Sequence, residues 1–351
     1  MSKLRNIKIR ILVFLNDKNK KSYLRIFKEV CSLILLKKEF PLYYFAKFLY
    51  RKEIVDYKSY LSQKEIRKII NHIQPEDNII KNLVRNKLDF GYFLEEHNID
   101  SPKIIGYNQK DKFQVKEQVF EINSEDDFSD FFENMLNDVD ENKLFVKPFS
   151  EQGGKDCFIL NNETLKTSAK EYMNKIILGN FLFQECIKQH SEINVINPDT
   201  VNSIRFNSYM DESGNSEIIS AFMRFGRNGN VVDNGSSGGF YVPVDLKKGT
   251  LEHEGKQLMK FGGKVFYEHP DTKFNFSNFR IPFFNEACSL IYKTAPLIPF
   301  KMLGWDIAIT HEGPILIEVN DNFSLFVADI AYGGYLKHPV IKEMIEKQNH
   351  V

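Results

Sequence analysis

Gly304-Trp305-Asp306-Ile307-Ala308-Ile309-Thr310-His311-Glu312-Gly313-Pro314-Ile315-Leu316-Ile317-Glu318-Val319-Asn320 reads as two apolar strands around a polar turn. Ile and Val dominate the flanks, and His-Glu-Gly-Pro is turn chemistry, so a β-hairpin is expected. If Ile309 pairs with Ile315, Ile307 faces Ile317 and Asp306 faces Glu318, with Asn320 two residues on and on the same side. One face is then apolar, built from Ile307, Ile309, Ile315, Ile317 and Val319. The other carries three oxygen donors at one end. Two acids directly opposite repel unless a cation lies between them. Hard oxygen donors without a nearby Cys or His suit Mg²⁺, which takes one or two carboxylates and completes its shell with phosphates and water. A solvated strand end with scattered acids is the competing reading.

Working outward, Ser203 to Tyr209 and Ile218 to Phe225 are two further strands joined by Asp211-Glu212-Ser213-Gly214-Asn215. Each carries one arginine, Arg205 and Arg224, in an apolar or small setting; a guanidinium there needs a phosphate, a carboxylate or a structural ion pair. The segment Asp233-Asn234-Gly235-Ser236-Ser237-Gly238-Gly239 is a loop by composition, disordered or an anion-binding nest. Upstream, Leu144 to Pro148 is a short strand carrying Lys147. Glu151-Gln152-Gly153-Gly154-Lys155 and the strand Cys157 to Leu160 follow, so the glycines mark a hairpin turn. Such a turn closes over phosphates or merely reverses the chain. Asn180 to Ile187 is a strand running into a polar connection that holds Glu192, and residues 82 to 98 form a helix with Lys87 in its first turns. Walker and Rossmann fingerprints are both absent.

Taken in order, these elements resemble the ATP-grasp superfamily from about residue 85 to 330. The half with two arginines, Asn, Gly-Gly, Asp and Glu-x-Asn is similar to the ribosomal-protein-modifying glutamate ligases. Tyr43-Tyr44 to Tyr60-Leu61, His269-Pro270-Asp271-Thr272, Ile281-Pro282-Phe283 and Gly304-Trp305-Asp306 resemble more closely the sugar-transfer-associated ATP-grasp group of exopolysaccharide synthesis. The resemblance implies an α+β fold in which two lobes clasp ATP, a small one over about 102–183 and a large one over about 184–345, within a domain of 81–351. It implies ATP with one or two Mg²⁺, or Mn²⁺, as cofactors, and Asp306, Glu318 and Asn320 as metal ligands. Lys87, Lys147, Gly153 and Gly154 would hold phosphates. The backbone of Gln184, Glu185, Cys186 and Ile187 would read adenine, and Glu192 would take the ribose. Arg205, Arg224 and Asn234 would act on an acylphosphate formed from a carboxylate before an amine displaces phosphate. A phosphotransferase acting on a sugar hydroxyl, or a non-catalytic nucleotide- or glycan-binding protein, are the competing functions. Cys157, Cys186 and His190 are read as structural or incidental, and His269 as a surface or packing residue before an amine-assisting one.

The N-terminus departs from that pattern, with no strand-helix alternation of the usual preceding domain. Residues 1 to 80 read as basic and mainly helical, and the first 52 hold fourteen Lys or Arg against three acids. Lys and Arg alternating with Tyr and Phe suit an anionic membrane surface or a lipid-linked glycan, or else a packed helix pair with a solvated basic face. The chain as a whole is neutral and gives no nucleic-acid footprint. Four scattered cysteines make neither a zinc site nor a disulfide framework. No apolar run reaches the roughly 20 residues of a membrane span, and Asn16-Asp17-Lys18 stands where a signal peptide would be cleaved. A cytoplasmic location, peripheral on the inner face of the membrane, is the expectation, with small or carrier-linked carboxylates and amines as substrates.

Overall fold

The computed structural model describes residues 3–73, 78–150, 155–229, 233 and 238–347. The chain begins with helices α1 (Lys3–Asn16), α2 (Tyr23–Lys37), α3 (Leu42–Ala46) and α4 (Gln63–Ile73). Ser22 starts α2 by accepting from Arg25 N, and Lys38 ends it in a left-handed conformation. The aromatic run after Pro41 is core: Tyr43, Tyr44 and Tyr50 are buried with Ile26, Leu33 and Leu49. Helix α4 instead turns Ile66, Ile69 and Ile73 into a cluster shared with Met302 and Phe323. Lys47 joins the two regions as a buried ion pair with Asp329, whose carboxylate also accepts from Leu61 N and Tyr335 N.

The helix expected over 82–98 is two helices, α5 (Asn78–Arg85) and α6 (Lys87–Glu96). Asn86 breaks the run, because its side chain caps α6 by accepting from Leu88 N at 3.0 Å. Lys87 thereby becomes the first residue of a new helix.

Strands β1 (Ile104–Gln109), β2 (Lys112–Val115) and β3 (Gln118–Glu121), helix α7 (Glu125–Asn137), β4 (Lys143–Pro148), β5 (Phe158–Asn161), α8 (Asn162–Ile177) and β6 (Asn180–Glu185) make the small lobe. Its antiparallel sheet runs β3-β2-β1-β6-β4-β5. Strict alternation divides its faces. Leu144, Val146, Phe181 and Phe183 pack with Phe128, Phe132 and Leu136 of α7 and Leu165 of α8, whereas Phe145, Lys147 and Gln184 face a cleft. Strands β4 and β5 pair antiparallel, as a hairpin requires.

Beyond α9 (Ser191–Ile196) lies the large lobe. It holds β7 (Ile204–Met210), β8 (Ser216–Phe225), β9 (Phe240–Asp245), β10 (Thr250–Leu251), β11 (Gly255–Lys256), β12 (Val265–Phe266), α10 (Phe284–Thr294), β13 (Met302–Ile309), β14 (Pro314–Asn320), α11 (Leu325–Tyr332) and α12 (Pro339–Lys347). Its sheet is ordered β12-β11-β9-β8-β7-β13-β14, with β10 added to β9. One face packs on α10 through Phe206, Trp305, Ile307, Ala287 and Ile291. The other packs on α4, α11 and α12. The two α+β lobes with a helical N-terminal region are the architecture expected, and the cleft lies where the small sheet meets β8, β13 and β14.

Candidate active site

Strands β13 and β14 pair with Asp306 opposite Glu318 and Gly304 opposite Asn320, the register expected from the sequence at the ligand end. Towards the turn the ladder slips by one residue, so that Ile307 meets Leu316 and Ile309 meets Pro314. This bulge overturns the expected apolar face. Leu316 and Val319 enter the core, while Ile317 turns to the cleft beside Glu318.

Asp306 also stands opposite Arg205 on β7, so Arg205, Asp306 and Glu318 form one charged row across three strands. Arg205 donates from Nε and Nη2 to the two oxygens of Asp306, the latter at 2.9 Å. Arg224 Nη2 lies 3.0 Å from Asp306 Oδ2. Burial alone would raise the Asp306 carboxyl, but the two guanidiniums outweigh it and hold it well below the usual carboxylate range. Glu318 goes the other way: burial, then the charge of Asp306, pushes its carboxyl up against the pull of Lys87 and Lys147. Asn320 Nδ2 lies 3.3 Å from Glu318 Oε1 and 3.5 Å from Asp306 Oδ2. Two adjacent carboxylates, Asp306 buried and Glu318 half-buried, and an amide offer hard oxygen donors, and a divalent cation would offset the repulsion between the two acids, so the set fits Mg²⁺.

Beside Arg224, and lining the cleft with it, is a group that reading the sequence missed. Ser203 Oγ accepts from Arg224 Nε at 2.9 Å and donates to Asp233, which also accepts Ser203 N at 2.7 Å. Arg224 Nε is 3.5 Å from Asp233 Oδ2. Burial pushes the Asp233 carboxyl up although Arg224 opposes it. The available signal was an acid heading a Gly/Ser-rich loop just after an arginine-bearing strand. Asn234, expected to act with the arginines, lies outside the described residues.

The cleft encloses about 580 Å³, within the usual range for a small-molecule site. Lys87, Lys147, Arg224, Asp306 and Glu318 line it at one end. Phe145, Ile159, Cys186, Ile187 and Val201 give it apolar walls. Burial, tempered by Glu318, pushes the Lys147 ammonium down to about 8. Asn320 lines a smaller cavity of about 180 Å³ that shares Lys87, Lys147, Gln184 and Glu318 with the cleft.

The remaining expected residues are distributed unevenly. Gln184 and Glu185 reach the cleft, but the Gln184 amide donates to Pro102 O at 3.0 Å and Glu185 pairs with Lys103. Arg205 is not among the cleft-lining residues; it holds Asp306 from behind. Nor does Glu192 line the cleft. It is exposed in the first turn of α9, while Asn194 and Asp199 line the cleft nearby. Gly153 and Gly154 lie outside the described residues. Cys157 lines the cleft, its thiol pushed up by burial. His190 caps α9 by accepting from Glu192 N. His269 is a packing residue: it is buried, with Nε2 3.1 Å from Gly226 O, and burial lowers its ring.

Comparison with solved structures gives distant likeness. N5-carboxyaminoimidazole synthetase from Staphylococcus aureus, complexed with ADP, is 12% identical, with 70% of this chain and 46% of that one covered at a TM-score of 0.41. An L-amino acid ligase from Bacillus licheniformis is 11% identical, covering 75% and 45% at 0.39. D-alanyl-alanine synthetase A from Vibrio cholerae O1 biovar eltor is 10% identical, covering 73% and 67% at 0.41. The chain thus spans under half the length of the first two. No curated protein matches it. The sequence profile of the sugar-transfer associated ATP-grasp family matches residues 70–344, which takes in both lobes and every described residue of the cleft, and the chain belongs to that family.

Proposed function

We propose that the protein is an ATP-dependent carboxylate-amine ligase that forms an amide through an acylphosphate, acting on a sugar acid or amino acid in surface-polysaccharide assembly. The observation that carries this reading is the opposition of Asp306 and Glu318 across one ladder, at the end of the cleft where Lys87, Lys147 and Arg224 converge. Lys87, Lys147, Arg224, Asp306 and Glu318 gathered in one cleft, with Phe145, Ile159 and Ile187 as apolar walls, suit a nucleoside triphosphate whose base lies against those walls. Asn194 and Asp199 are placed to meet the ribose in the position expected of Glu192. The sugar context rests on the family description alone, and ATP supply makes the cytoplasm the site of action.

Asp306, Glu318 and Asn320 would hold a divalent cation, which when bound supplies positive charge to the β- and γ-phosphate oxygens. Arg205 fixes the Asp306 carboxylate in ionised form and in one orientation. Lys147, which is buried, and Lys87 neutralise phosphate charge, an interaction strengthened where water is excluded. A substrate carboxylate oxygen attacks the γ-phosphorus and ADP leaves. An amine nitrogen then attacks the acyl carbon, inorganic phosphate departs and the nitrogen releases its proton. Arg224, which lines the cleft and is held by Asp233 and Ser203, would hold the acylphosphate oxygens.

The test is ADP and hydroxamate formation by the purified protein with ATP, Mg²⁺ and hydroxylamine, over a panel of amino acids, uronic acids and nucleotide-linked uronic acids. Hydroxamate that requires one acid and Glu318 is expected. ADP with a phosphorylated sugar and no hydroxamate would replace the ligase by a phosphotransferase. Tight ATP binding with no ADP across the panel would make this a binding protein.

A further inference from the structure

Helix α2 is apolar on two sides. Ile26 and Leu33 pack inward, while Leu24 and Phe27 are each 66% exposed and Leu35 is 80% exposed. At 100° per residue the outer three fall on one stripe, since positions 24 and 35 are separated by three turns. Helix α1 repeats the pattern. Val13 and Phe14 pack inward, and Ile7, Ile11 and Leu15, four apart, are all about half exposed. Scattered surface leucines need no explanation, but two helices with continuous apolar outer stripes do.

Charge indicates what covers them. The three acids of the first 52 residues are all engaged within the fold. Asp17 pairs with Arg51, and Glu29 with Lys21 and Arg25. Glu39 accepts from the backbone of Gln63 and Lys64. Lys8, Arg10, Lys28 and Lys38, by contrast, are exposed on or beside α1 and α2. The outer surface is therefore apolar stripes among cations with no anion offered in return. A second copy would bring like charges together, whereas anionic lipid headgroups over acyl chains complement both features.

We propose that α1 and α2 dock this face on the surface of a bilayer containing anionic phospholipid. No described helix is long and apolar enough to cross a membrane, so the helices lie in the interface. The Tyr43 to Tyr50 run, basic and aromatic in sequence, takes no part because its rings are core.

The test is flotation of the full chain with vesicles of phosphatidylcholine alone or with phosphatidylserine. Binding is expected with phosphatidylserine only, declining as salt rises. Leu24→Asp/Phe27→Asp/Leu35→Asp should abolish it while melting temperature and ATP binding stay unchanged. Lys8→Glu/Lys28→Glu should weaken it at least about tenfold, two charges being reversed at the headgroups. Wild-type protein that does not float, or a triple variant that floats equally well, overturns the proposal. So does a wild-type dimer in sedimentation that the triple variant splits without any vesicle binding, for the face would then be a protein interface.

Discussion

Glu318→Gln keeps the volume of the side chain and removes one charge, and the structure gives the two consequences opposite signs. For folding, the charge is a burden: burial and the facing Asp306 both raise the Glu318 carboxyl, so an amide there leaves the fold as stable or more so. For phosphoryl transfer it is an asset. One unit charge about 4 Å from a cation or phosphate, at the effective dielectric of about 20 that suits such sites, amounts to about 4 kcal/mol. That corresponds to roughly a 10³-fold loss of turnover. Steady-state ADP release and thermal melting on the same preparations separate the two effects. The expected result is kcat/KM down about 10³-fold with Tm unchanged or raised. A Tm several degrees lower, with activity falling only as the folded fraction falls, would show that Glu318 serves the fold and would sink the metal-ligand assignment.

Three further outcomes follow. ATP affinity by calorimetry should be level below about pH 8 and fall above it, because Lys147, pushed down to about 8, must be charged to meet phosphate; Lys147→Arg, which stays charged, should give a level profile, and an unchanged slope in that variant would refute the assignment. Lys47→Met leaves Asp329 buried with its backbone donors but no cation. It should cost about 3 kcal/mol in urea unfolding, part of it regained in Lys47→Met/Asp329→Asn, which removes the charge and keeps an oxygen for a backbone donor. Gly304→Ala would place a Cβ 2.7 Å from Phe323 Cβ; a loss of about 1–3 kcal/mol is expected by the same measurement, and a neutral result would show that β13 can shift freely.

The pairing of Asp306 with Glu318 was legible because it rests on strand period and opposition of charge. Asp306 and Glu318 are 12 residues apart around one short turn, and their pairing needs no distant information. Both arginines were legible as anomalies within apolar strands, although their common target, Asp306, is 101 residues from Arg205 and could be known only from strand order. Ile317 was misplaced because periodicity assumes a regular ladder, and a bulge is a departure from it. Lys87 was found, but within one long helix, since the Asn86 cap outweighed a continuous apolar pattern only by a local hydrogen bond. Asp233 escaped because its role depends on Ser203, thirty residues away. The N-terminal aromatics were read for composition, which cannot separate a buried tyrosine from an exposed one.

The carboxylate of Asp329 has a consequence for how this chain is made. Lys47 and Leu61, its partners, are 282 and 268 residues away in sequence. On the ribosome the early helices emerge with a lysine destined for burial and with α4 uncovered, long before α11 exists to receive them. Pairings of such separation close slowly, and chains of this length commonly pass through partly folded states. The segment around Lys47 must therefore wait in an unfinished form, and its last step is the arrival of one anion from a helix 282 residues further along the chain.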